Sequence, residues 1–367
     1  MSNEPLRVLQ IMGTMNRGGA ESLIMNIYRF IDKEIVQFDF VVHTDERCSF
    51  DDEIISLGGR IYHAPKYKLV NHYSYCKWWK EFFNTHREYK IVHSHIRSTA
   101  SIIFRIAKEY RLSTISHSHS TSNGSGISSY IKNQLQTRIT DYADYLVACS
   151  EEAGKWLYKS NKFIVLKNGV DLSKFSFNKS IRDEVRSSLG ITDSTLVCGH
   201  VGRFHEAKNH EYLIDIFAEI LKRNTNAVLL LVGDGPLRNH VQEKAEKLKI
   251  SKSVKFLGVR DDIDKLLQAF DRFIFPSIWE GFPVSVIEAE AVGIPCIISD
   301  TITPEVLIVP NVRSLSILEP AYKWADEVIR NDCRLNNADA IKHAGYDIAQ
   351  EVKEIQEFYK DIIYKSE

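Results

Sequence analysis

Short apolar runs recur along the chain, and most are followed by a stretch whose apolar positions repeat with helical spacing. In the first half the runs at 6–12, 38–43, 59–63, 91–95, 114–119, 145–150 and 163–166 read as strands. Helices are predicted between them over 22–30, 50–57, 73–85, 131–142 and 151–159. A second series of strands, 196–201, 227–232, 254–258, 273–275 and 294–298, alternates with helices over 210–221 and 237–248. A further helix runs from Pro283 through Val284, Val286, Ile287 and Ala291 and is closed by Gly293. Two amphipathic helices, 324–329 and 347–363, end the pattern. The last carries Val352, Ile355, Phe358, Tyr359 and Ile362 on one face, as a docking helix would.

Alternation of β and α elements in both halves predicts an α/β fold of two doubly wound, Rossmann-like domains facing a cleft. The expected domains are 1–175 and 176–346, joined by a linker at about 168–180, and 367 residues suffice for both. Charge changes this picture little. About a quarter of the residues are charged and the formal net charge is −1, which gives no drive toward nucleic acid. Residues 1–175 carry an excess of roughly five positive charges, which favours an anionic surface or acceptor. None of the six cysteines forms a C-x-x-C pair, and they read as reduced small hydrophobes. No run approaches the ~20 apolar residues of a membrane span, and no signal peptide is recognisable. The expectation is a cytoplasmic protein, with at most peripheral contact at the inner face of the membrane.

Candidate chemistry lies at the C-terminal ends of the strands. The loop after 273–275 carries Glu280 and Gly281, passes through Phe282 and opens into a helix at Pro283, with Glu288 in about its second turn. Helix N-termini in such loops bind phosphates, and carboxylates accept hydrogen bonds from sugar hydroxyls. After the strand 196–201 come Gly202, Arg203 and Lys208, a glycine turn with a forked cation and a point cation, as a diphosphate requires. The first strand ends in a loop with Gly18 and Gly19, where backbone can approach a ligand. The strands 91–95 and 114–119 both end in His-Ser-His. These histidines suit either metal ligation or hydrogen bonding; with no carboxylate beside them, hydrogen bonding is preferred. Lysines 66, 68, 77 and 80 are interleaved with Tyr67, Tyr73, Tyr75, Trp78 and Trp79. They suit either a membrane interface or a helix whose aromatics, Trp78 and Phe82 first, pack inward. The polar stretch 120–129 either closes over an acceptor or stays disordered. Residues 299–305 are placed as a wall of the pocket. Asp262 and Asp264 read as helix-capping aspartates rather than a metal-binding D-x-D.

Glu280-Gly281-Phe282-Pro283 followed by Glu288 resembles the E-x7-E element of retaining, family 4 glycosyltransferases of two-Rossmann (GT-B) architecture, and among them polysaccharide-assembly enzymes. The resemblance covers nearly the whole chain, including Asn168-Gly169-Val170-Asp171 with Phe175 at the domain crossing. It implies that the last helix packs back on the N-terminal domain, which takes the acceptor. It implies a nucleotide diphosphate sugar as donor, with UDP the expected nucleotide, and a saccharide acceptor, lipid-linked, in surface polysaccharide assembly. Catalytic roles fall to His119, Glu280, Arg203 and Lys208. Donor contacts fall to Gly18, Gly19, Arg203, Lys208, Val259, Arg260, Glu280, Gly281, Phe282, Pro283 and Glu288, with His117 the alternative to His119 at the sugar. No cofactor and no metal are expected. A sugar-nucleotide epimerase of this architecture and a non-catalytic saccharide-binding protein are the competing readings. A nicotinamide dehydrogenase would need G-x-G-x-x-G, which Met12–Glu21 lacks.

Overall fold

Strand β1, Leu6–Met12, lies inside the first sheet, and its last five residues are buried. A parallel sheet covered by helices on both faces requires continuous apolar strands rather than alternating ones. The computed structural model describes residues 4–119, 134–330 and 332–366. With β2 (Val36–Val42), β3 (Ile61–His63), β4 (Ile91–Ser94), β5 (Ser113–Ser118), β6 (Tyr145–Ala148) and β7 (Ile164–Val165), β1 forms a seven-stranded sheet in the order β3-β2-β1-β4-β5-β6-β7. Every pairing in it is parallel.

The second sheet contains β8 (Leu196–Val201), β9 (Ala227–Val232), β10 (Val254–Gly258), β11 (Arg272–Phe275), β12 (Cys296–Ser299) and β13 (Val312–Leu315), in the order β10-β9-β8-β11-β12-β13. It too is parallel throughout. The chain divides into two units: Met1–Gly169 with Ile348–Glu367, and Val170–Asp347. The division falls slightly before the expected 175.

The C-terminal helix Ile348–Ser366 belongs to the first unit, as its one-faced pattern implied. Ile348, Val352, Ile355, Tyr359 and Ile362 join the core formed by β1, β2 and the helix Gly19–Phe30. Buried polar groups in this unit are mostly paired. Asp39 accepts from Arg7 at 2.6 Å, from Tyr89 Oη at 2.8 Å and from the Arg60 amide at 2.7 Å.

Several boundaries differ from expectation for identifiable reasons. The first helix begins at Gly19, not Ser22, so Gly18 and Gly19 form its N-terminus instead of lying in a loop before it. In the helix His72–Thr85 the buried aromatics are Tyr75, Trp79, Phe82 and Phe83, so Phe82 packs inward as expected; Trp78 is only partly buried and stacks on Phe82 at 5.2 Å. Asp262 occupies the N-cap of the helix Ile263–Ala269, yet its carboxylate caps nothing. It is held instead by a forked contact from Arg260 at 2.6 and 2.8 Å. Gly293 has φ +85°, and a Cβ there would meet the Leu335 carbonyl at 1.9 Å, so this turn admits only glycine. The stretch 120–129 and the start of the helix expected over 131–142 lie outside the described residues.

Buried titratable groups set a pH optimum for the fold. Burial pushes the carboxyls of Glu288 and Glu351 up to about 8 and that of Glu290 up to about 9. An unfolded glutamate ionises near 4.5, so between that pH and about 9 the folded chain holds more protons. Stability therefore falls as pH rises through this window, by at most about 1.4 kcal/mol per pH unit per group. Buried His93, His95, His117, His200 and His210 have lowered values, and stability falls as pH drops below their ordinary 6.5. Urea denaturation should show greatest stability near pH 6.5. Glu290→Gln should flatten the alkaline limb; an unchanged limb would show that Glu290 ionises normally.

Candidate active site

In each sheet the strand order reverses at one point, between β1 and β4 and between β8 and β11. Open parallel sheets bind ligands there, beyond the C-terminal ends of the strands. In the second unit the two loops at this point carry the cations and the loop glutamate singled out from sequence.

After β8, Gly202 turns the chain. A Cβ on Gly202 would press on the Lys208 side chain at 3.2 Å and on His200 Nε2 at 2.9 Å, so glycine leaves the lysine its path. After β11 the chain passes Pro276 and Ser277 to Glu280. The two loops are joined by the Ile278 amide donating to the Ala207 carbonyl at 2.7 Å. Lys208 Nζ lies 2.7 Å from Glu280 Oε1, an ion-pair distance without well-aligned hydrogen-bond geometry. It also sits 4.6 Å from the centre of the Phe275 ring. Both side chains are largely buried, at 18% and 12% exposure, so the pair is screened less than a surface contact. Arg203 is exposed in the same loop, and no ion pair engages its guanidinium among the described residues. It is a cation available to an anionic ligand.

The helix Val284–Ala291 begins beside Glu280. Pro283 is its N-cap rather than its first helical residue, and no side chain caps the end. Phe282 stacks on Tyr346 at 5.2 Å, which fixes the approach to the helix. Glu288 lies on this helix, half-buried. Burial first, and the Asp264 carboxylate second, push its carboxyl up to about 8. The segment 299–305 is tied to the same loop, Thr301 Oγ1 donating to the Ser277 carbonyl at 2.8 Å. Val259 is exposed at the end of β10, and neighbouring Arg260 is committed to Asp262.

In the first unit Gly18 caps the helix Gly19–Phe30 with extended backbone, and a Cβ on Gly19 would meet nothing within 4 Å. At Gly18 a Cβ would meet Glu21 Oε2 at 2.4 Å, so the Glu21 side chain lies against this helix end. His119 follows β5, partly exposed, and shares a 2.8 Å hydrogen bond with His95. His117 lies deeper, at 2% exposure, with neither ring nitrogen bonded. Sequence reasoning missed His200 and His210, which pack beneath Lys208 with rings 4.7 Å apart. Their apolar setting made them indistinguishable from core residues in the sequence.

Two doubly wound, Rossmann-like units, the second with a cation and a carboxylate at its switch point, define the class of fold. Residues 17–174 match the family model for glycosyltransferase family 4, and residues 181–330 that for glycosyl transferases group 1. The chain belongs to this family, the GT-B glycosyltransferases. It is 36% identical, over 98% of its length and 97% of the relative's, to the protein assigned as glycosyltransferase EpsF in Bacillus subtilis (strain 168). It is 26% identical to the capsular polysaccharide biosynthesis glycosyltransferase CapH of Staphylococcus aureus, over 77% of this chain and 78% of that one. It is 30% identical, over 55% of each chain, to the UDP-Gal:alpha-D-GlcNAc-diphosphoundecaprenol alpha-1,3-galactosyltransferase of Escherichia coli. Its fold matches Alr3699/HepE of Anabaena, solved with UDP and glucose, with a TM-score of 0.81 over 97% of this chain and all of that one, at 19% identity.

Proposed function

We propose that the protein transfers a hexosyl unit, with retention of anomeric configuration, from a UDP-sugar to a hydroxyl of a lipid-linked saccharide. The observation that carries this reading is the Lys208–Glu280 contact of 2.7 Å at the switch point of the second sheet, in the loop that also carries the exposed Arg203. The reaction breaks the bond between the anomeric carbon and the diphosphate. Negative charge grows on the departing phosphate, and Arg203, Lys208 and the uncapped end of the helix Val284–Ala291 are placed to stabilise it. These fixed charges take the part a divalent cation plays elsewhere, so the transfer needs no metal. Glu280 orients the sugar hydroxyls, Glu288 those of the ribose, and His119 takes the sugar-contacting role that the family resemblance implies. The departing phosphate takes the proton of the acceptor hydroxyl.

The UDP and lipid-linked terms find support in the ligands of Alr3699/HepE and in the substrate named for the galactosyltransferase relative. Peripheral membrane contact is supported by the start of the helix His72–Thr85, where Leu69, Val70 and Tyr73 are exposed at 58%, 94% and 84% among lysines 66, 68, 77 and 80. No helix among the described residues is long and apolar enough to cross a membrane.

The test is UDP release from a panel of UDP-sugars, with and without lipid-linked saccharide. Release that rises with acceptor supports the transferase. Sugar interconversion without acceptor would make the protein an epimerase, and binding without release a carrier.

A further inference from the structure

The sequence placed His-Ser-His at the ends of two strands; the fold makes those strands, β4 and β5, neighbours, in register His93 to Ile115. Four imidazoles gather as a result. Ring centres are 4.5 Å apart for His93 and His95, 5.3 Å for His117 to each of them, and 4.0 Å for His117 and His119. Ligand nitrogens of His93, His95 and His117 lie within 4.8 Å of one another.

The hydrogen bonds around the cluster are one-sided. His93 Nδ1 is held by Tyr359 Oη at 2.7 Å, and its Nε2 is buried without a partner. His95 Nε2 donates to Gln10 Oε1 at 2.9 Å, and its Nδ1 faces His119 Nε2 at 2.8 Å. Gln10 Nε2 in turn donates to Tyr359 Oη at 3.3 Å. Both nitrogens of His117 are buried and unbonded. In the first two residues one nitrogen is fixed by an oxygen partner and the other is turned toward the cluster. Metal-bound histidines are oriented in this way, the outer N–H on an oxygen and the inner nitrogen on the ion.

We propose that His93, His95 and His117 form a binding site for one divalent transition-metal ion of the zinc class. Three neutral imidazoles with no carboxylate suit zinc, cobalt, nickel or copper and reject magnesium and calcium, which require oxygen ligands. The nitrogens must draw together to meet ligand distances of about 2.0–2.1 Å, and a fourth position stays open, as at three-histidine zinc sites. Coordination through His95 Nδ1 displaces His119 from that nitrogen. Given the role of His119 proposed above, the ion then modulates transfer instead of taking part in it.

Metal content after equilibrium dialysis of the full chain against Zn²⁺, and the visible absorption of its Co²⁺ form, test the site. One ion per chain is expected, with the strong band of four-coordinate cobalt. His117→Asn and His95→Asn should each lose the band, with folding checked by circular dichroism. His119→Ala should keep it. His72→Ala should also keep it; His72 and Cys76, whose Nε2 and Sγ are 3.6 Å apart, are the exposed soft pair of the same unit. No stoichiometric uptake by the wild type would overturn the proposal. So would a band that survives in a folded His117→Asn chain, or one lost in His72→Ala. Each readout is binding, so the result stands apart from whether the chain transfers sugar.

Discussion

Lys208→Ala should lower kcat/KM for sugar transfer by about two to three orders of magnitude, the usual cost of removing one charged or hydrogen-bonding group from a transition-state site. Lys208 is the partly buried cation assigned to the diphosphate in the proposed reaction, and its Nζ lies 2.7 Å from Glu280 Oε1. Removal therefore does two things. It takes away charge that matters most when the leaving group carries its negative charge, and it removes the cation 2.7 Å from a carboxylate at 12% exposure. The double variant Lys208→Ala/Glu280→Gln separates them: it should recover folding stability without recovering activity. Lys208→Arg should rescue only weakly, because a planar fork does not fit the path kept open by Gly202 beside the lysine stem. Steady-state assay of the three variants beside their urea midpoints checks this. A Lys208→Ala enzyme within a few-fold of wild type would remove Lys208 from the reaction.

A chain ended after Asp347 should fail to fold its first unit. The helix it loses contributes Ile348, Val352, Ile355, Tyr359 and Ile362, each at 5% exposure or less. At about 1.5–3 kcal/mol for each buried side chain, the loss is on the order of 10 kcal/mol. Whole domains are stable by only about 5–15 kcal/mol. The cut also strips Tyr359 Oη from His93 and Gln10, and the Glu351 carboxylate from the Gly169 amide it accepts at 2.6 Å. Amide exchange in β1 and β2 is the readout. Fast exchange throughout both strands is expected, and protection equal to the full chain would show that the helix only decorates the surface.

Much of this architecture is legible in the residues themselves. Strands β1, β8, β9 and β10 were predicted to the residue; β9, buried throughout, shows as the unbroken apolar run AVLLLV. The helix Lys179–Ser188 was not anticipated, and its chemistry explains why. It is anchored by arginine: Arg182 and Arg186 donate to the Ala269 carbonyl and to Asp271, and Arg186 is 1% exposed. A hydrophobicity pattern does not register such an anchor. The helix Ala100–Glu109 also went unassigned, although Ile102, Ile103, Phe104 and Ile106 are buried. It is the crossover that makes β4 and β5 parallel neighbours and so assembles the histidine cluster. The resemblance to family 4 glycosyltransferases, and not spacing alone, singled out Lys208, Glu280 and Glu288. Only the strand order shows that the first two meet, since 72 positions of chain separate them and the reversal between β8 and β11 closes that gap.

The central claim is that a nucleoside diphosphate is held by fixed protein charges without an ion. Thermal unfolding with UDP, with and without chelator, in the wild type and in Arg203→Ala and Glu288→Ala, tests it most directly. At 100 times its dissociation constant UDP should stabilise the wild type by about 2.7 kcal/mol, equally with and without chelator, and this gain should vanish in both variants. Stabilisation that requires an added divalent cation, or that persists undiminished in both variants, would contradict the account.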